Sequence, residues 1–186
     1  MDGGISDNLG LRATIDRVEG LGEHRFGQLE ALGVKNVLVI LVNAAVQRDS
    51  FIEQSPNKPK PATTMSAFVD SQMSRYNQET IDRMRHNIER YQQRVDDEGL
   101  PLQFYFSEVS FDHVQLADAS SVLNNMPTSL ELKSEDVDKL ISTGRLLLRN
   151  EPSFVLFKAN NNGRLAEGAM SKHELCKYFD HPDCAD

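Results

Sequence analysis

Residues 36–43 read Asn36-Val37-Leu38-Val39-Ile40-Leu41-Val42-Asn43, an unbroken apolar run closed by an asparagine at each end. Valine and isoleucine dominate it, and their branched Cβ atoms favour extended backbone. Apolar side chains occupy both parities of the run, so no alternation separates a wet face from a dry one. Such a run predicts a strand buried on both faces, as in a parallel sheet covered by helices. The fold class follows: α/β, with helices packed on a mostly parallel sheet. Asn43 would then lie at the carboxyl edge, where open α/β sheets bind ligands. A turn or helix-capping role fits the same asparagine equally well.

Upstream of the run, a helix is expected from Ser6 to about Gly20, with Leu9, Ile15 and Val18 toward the core. A second, short helix spans roughly Glu23 to Leu32 and stops at Gly33. Downstream, residues 47–63 are polar and hold Pro56, Pro59 and Pro61, which predicts a surface loop. Then Met65, Val69, Met73, Tyr76, Ile81, Met84, Ile88, Tyr91 and Val95 fall at helical spacing, a long amphipathic helix, or two in tandem, from about Thr63 to Asp97. Its stripe is expected to face the core rather than a membrane surface, because interfacial helices carry bulkier apolar faces. Gly99 and Pro101 end it.

Leu102 to Ser107 alternates like a strand with one buried face. Asp112 and His113 follow, but neighbouring residues on a strand or loop seldom face each other, so His113 is expected to be structural or exposed. A short helix is expected at 118–125 and an extended stretch at Met126–Leu130, since the residue before Pro127 avoids helical backbone. Ser134 is the expected cap of the next helix, with Val137, Leu140, Ile141, Gly144 and Leu148 as its buried stripe. Phe154 to Phe157 close the core. The domain reading is therefore 1–157, followed by a polar extension, 158–186.

Bulk composition excludes several functions. At 186 residues the chain can bury one substantial core. A formal net charge of -8 argues against nonspecific nucleic-acid binding, which needs basic surface. No apolar run of about 18 residues exists, so no transmembrane segment is expected. Residues 1–15 lack a basic leader and an apolar core, so no signal peptide is expected, and cytoplasmic and membrane-peripheral placements both stay open. Cys176 and Cys184 make neither a disulfide framework nor a zinc site, and the histidines show no ligand spacing. No cofactor or metal is implied.

The chemistry-bearing stretch is the opening one, Asp2-Gly3-Gly4-Ile5-Ser6-Asp7-Asn8-Leu9-Gly10-Leu11-Arg12. On residues alone, Asp2-Gly3-Gly4 is a tight turn before a helix, and a turn is all it need be. The whole string, however, resembles the second catalytic block of patatin-like phospholipases. Val42-Asn43-Ala44 resembles the strand end that follows that block, and the stretch from Leu123 through Pro127-Thr128-Ser129 to Gly144-Arg145 resembles the final helices of bacterial members. The resemblance runs from Asp2 to about Phe157. It implies a lipid acyl-ester hydrolase with a Ser-Asp dyad, Asp2 as the dyad acid, Gly3 and Gly4 as its motif, and a lipid or other acyl ester as substrate. No histidine takes part in such a dyad.

The pattern is incomplete. The chain contains no Gly-x-Ser-x-Gly and no glycine-rich oxyanion loop; Gly20-Leu21-Gly22 is too short and follows the acid. The expectation is thus a partial patatin-like three-layer fold without its amino-terminal strands and nucleophile elbow, with little or no activity alone. An unpaired Val37–Val42 strand is further expected to self-associate or to take up a missing amino-terminal portion. The other reading, of a different class, is a non-catalytic module that binds a lipid or a protein on a patatin-derived scaffold.

Overall fold

A computed structural model describes residues 9–20, 22, 24–45, 60–114, 117–127, 129 and 131–164, with only the backbone described at 63, 66, 117 and 118. Among these lie six α-helices and two strands: α1 (Leu11–Gly20), α2 (Arg25–Ala31), β1 (Asn36–Asn43), α3 (Pro61–Asp97), β2 (Gln103–Ser110), α4 (Ala117–Asn124), α5 (Ser134–Asn150) and α6 (Pro152–Asn160). A 3₁₀ turn, Phe111–His113, follows β2. β1 and β2 form a two-stranded parallel sheet, so the α/β class is what the chain adopts. The described chain makes two compact units. Residues up to Val37 and from Lys60 to Phe104 belong to one, and Leu38–Ala45 with Tyr105 onward belong to the other.

The first unit is built on the second half of α3. Phe26 is fully buried between Tyr91 and Phe104, with ring centroids 5.6 and 5.5 Å away and Tyr91–Phe104 at 5.8 Å. All three contacts are tilted or edge-on, the arrangement the ring quadrupoles favour. Val95 and Leu102 complete the cluster. Gln92 ties the end of α3 to the start of β2: its Oε1 accepts from the Phe104 amide at 2.9 Å. α1 runs alongside α3 in the same direction. The Arg12 guanidinium lies 4.2 Å from the centre of the Tyr76 ring, and Arg90 pairs with Glu19 at 3.5 Å.

Two glycines end helices as expected, and both need left-handed backbone. Gly33 has φ +76° and Gly99 φ +67°. After each, the next amide reaches back five residues, Val34 to the Leu29 carbonyl and Leu100 to the Val95 carbonyl, both at 3.0 Å. This satisfies carbonyls the helix end would leave bare.

The second unit packs Ala119, Leu123 and Met126 against Phe111, Val114, Leu140 and Leu146. Tyr105, Ser107 and Val109 form the buried face of β2, confirming one dry face. Phe157 meets the Tyr105 ring edge-on at 5.3 Å, and Asn160 Nδ2 donates to the Tyr105 hydroxyl at 3.0 Å. Glu151 caps α6, its Oε2 accepting from the Phe154 amide at 2.8 Å, and Pro152 supplies the first helical residue.

Several expectations fail. Met65 and Val69, expected on the core stripe of α3, are exposed, as are Val155 and Leu156, expected to close the core. β1 is not buried on both faces: Leu41 is 4% exposed, but Ile40 is 42% and Val42 68% exposed. Among the described residues β1 has one neighbouring strand, β2. Ser134 is not a cap; it is the first residue of α5, and Lys133 holds the cap position without a side-chain bond. The buried side of α5 is also rotated. Ser142 and Thr143 are buried, while Val137 and Ile141 are exposed. Leu140 and Leu146, about 120° apart round the helix on either side of the buried Thr143, both pack against the Ala119, Leu123 and Met126 cluster.

Candidate functional site

The residues that the motif singles out, Asp2, Gly3 and Gly4, lie outside the described residues. What can be built is the carboxyl edge toward which a ligand site in such a sheet would open. The Gln103 amide donates to the Lys35 carbonyl at 2.9 Å, so the strands begin level. Each has eight residues, and Asn43 and Ser110 therefore mark the same edge.

At Asn43 the chain turns on its own side chain: Oδ1 accepts from the Ala45 amide at 3.1 Å. That is the turn role, one of the two the sequence left open. Ser110 is 3% exposed and caps the 3₁₀ turn. Its Oγ accepts from the Asp112 amide at 3.3 Å and donates to Asp112 Oδ2 at 3.4 Å. A serine hydroxyl bonded to a carboxylate has the elements of an acyl-transfer pair, but here both bonds close a local loop. The hydroxyl is buried, so an ester carbonyl could not reach it, and the exposed Asp112 carboxylate lies outside it. The pair is structural. His113 is exposed, in keeping with its sequence reading. Among the described residues no group of three His, Cys, Asp or Glu side chains could hold a metal ion.

Polar atoms without partners lie elsewhere. Asn77 Oδ1 and Asn87 Nδ2 are buried on the core side of α3, and Ser107 Oγ and Thr143 Oγ1 are buried in the second unit. Each group left unpaired away from water costs on the order of 1–3 kcal/mol. The apolar period along α3 does not register Asn77 and Asn87. The signal was present, since both asparagines stand at stripe spacing from Met84 and Tyr91. Nearby, burial pushes the Tyr91 phenol above its ordinary range, and the Glu19 carboxylate adds to this while Arg25 and Arg90 oppose it. Arg25 covers the aromatic cluster, 5.0 Å from the Phe26 ring centre and 5.6 Å from that of Tyr91.

No family model matches the chain, and no curated protein or solved structure gives a significant match.

Proposed function

We propose that this chain carries the acid-bearing portion of a patatin-like Ser-Asp acyl-ester hydrolase acting on lipids. Asp2 is the dyad acid and Gly3-Gly4 the turn that presents it. The observation that carries the reading is the string Asp2 to Arg12, followed in order by Val42-Asn43-Ala44 and the Pro127-Thr128-Ser129 stretch. The parallel pairing of β1 and β2 is compatible with it, as is the position of Asn43 at the carboxyl edge. In the complete device a serine attacks the ester carbonyl and its proton passes to the Asp2 carboxylate. Backbone amides hold the oxyanion, and the proton leaves with the alcohol. Because Gly-x-Ser-x-Gly is absent from the chain and Ser110 is buried, this reading assigns the nucleophile to a segment outside these residues.

The test joins the chain to the polypeptide encoded directly upstream of Asp2. The joined protein should hydrolyse a short-chain nitrophenyl ester, and Asp2→Ala should lower that rate by about 10²–10⁴-fold. The isolated chain should stay at the buffer rate. An upstream sequence without Gly-x-Ser-x-Gly, or a joined protein indifferent to Asp2→Ala, overturns the reading. A non-catalytic lipid- or protein-binding module on the same scaffold then becomes the better account. The exposure of Met65, Phe68 and Val69 is the observation in its favour.

A further inference from the structure

The first four turns of α3 have an apolar face that the first unit's core does not use. Met65 is 65% exposed, Phe68 59% and Val69 49%. An α-helix advances about 100° per residue, so Asn77, Met84, Tyr91 and Val95 cluster within about 40° of one another. All are buried, and they mark the core side. Phe68 lies about 140–180° round from them and Met65 about 80–120°. Val69 stands on the core stripe's own side, at the same angle as the buried Asn87. Phe68 and Met65 lie beyond the stripe's edge and form a second face.

The charges around that face are sorted. Between Pro61 and Ser74 the helix holds one ionisable side chain, Asp70, and it lies about 160° from Phe68. The rest of the stretch is small or uncharged: alanine, serine, threonine, glutamine, methionine. A water-facing helix surface usually carries both signs of charge. Farther along, Arg75 stands within about 20° of Phe68 and about 10 Å down the axis. Arg83 follows within about 60°, with Glu79 between them. All three are exposed. An apolar patch with its one acid turned away and arginines at one end suits a surface of acyl chains edged by phosphates. It does not suit a strongly anionic membrane, because the chain as a whole is acidic.

We propose that this face of α3, centred on Met65 and Phe68, docks on a zwitterionic phospholipid surface. The two side chains enter the acyl boundary and Arg75 meets the phosphates. The choice of a lipid as occupant rests on the lipid-ester reading above. The measurement of docking does not, because it uses ether-linked phosphatidylcholine vesicles that no esterase can cleave. Loss of hydrolysis with docking intact would sink only the catalytic reading, and the converse would sink only this one.

The chain has no tryptophan, so Phe68→Trp places one reporter on the face. Its emission should shift to the blue on adding the vesicles, and the full chain should sediment with them. Met65→Ser with Phe68→Ser should weaken that partition at least about tenfold. Far-UV circular dichroism of the double variant should match that of the parent. An emission spectrum that vesicles do not move overturns the proposal, even where the double variant fails to fold. So does binding that requires added phosphatidylglycerol and ignores the double substitution. A parent chain that scatters light as a dimer, becomes monomeric on the double substitution and ignores vesicles also overturns it, and makes a second copy the occupant.

Discussion

The two halves of α3 differ in what covers them, although one unbroken helix of 37 residues carries both. From Asn77 to Val95 its inner face is buried, with Phe26 and Phe104 against its Ile88–Val95 end and α1 alongside. From Pro61 to Gln72 its largest side chains face water. Local helix geometry is the same in both. The difference lies in what the rest of the chain brings against each, and Arg12 of α1 lies over Tyr76, between the two halves. Burial is thus a property of the partner rather than of the stripe, and an apolar residue without a partner is free to serve binding.

The largest expected effect breaks the sealed half. Phe26→Ala removes the ring held by two aromatic neighbours and leaves a cavity between α2, α3 and β2. It should cost about 3–5 kcal/mol in urea unfolding. A loss under about 1 kcal/mol would mean that the cluster collapses freely, and the contrast between the halves would lose its basis.

Much of this architecture was legible. The Asn36–Asn43 strand matches in both bounds, and α3 begins two residues before its expected start and ends at its expected last residue. These elements rest on signals that act locally: a β-branched run, a 3.6-residue period and glycines with positive φ at helix ends. What was not legible depends on neighbours. Ile40 and Val42 look like core residues until the sheet, among the described residues, is seen to have one other strand. Val137 and Ile141 look buried because Leu140, Leu146, Leu147 and Leu148 allow several overlapping stripes on α5, and periodicity cannot say which one meets α4. For the candidate site, the identity of Asp2, Gly3 and Gly4 came entirely from sequence. The turn at Asn43 and the closed Ser110–Asp112 loop came from geometry.

An intermediate effect sharpens the comparison from the sealed side. Asn87 is 4% exposed with Nδ2 unbonded, at a position where the stripe otherwise asks for an apolar residue. Asn87→Leu, close in volume, should raise stability by about 1–2 kcal/mol, because it removes a buried donor that folding strips of water. A fall in the urea midpoint would show that this amide is satisfied by a bound water or another group, and that the asparagine is part of what holds α3 in place.

The smallest expected effect comes from the open half. Phe68→Ser removes a ring as large as that of Phe26, yet the ring is 59% exposed and is absent from the first unit's aromatic cluster. Serine and phenylalanine have similar helix propensities, so the helix itself is nearly indifferent to the exchange. Stability should change by no more than about 0.5 kcal/mol, as for surface substitutions generally. The same chemical deletion thus costs several kcal/mol at one site and almost nothing at the other. A Phe68→Ser loss approaching that of Phe26→Ala would place the ring against the body of the protein in solution. The outward face of α3 would then be core, and neither a membrane nor a second copy could claim it.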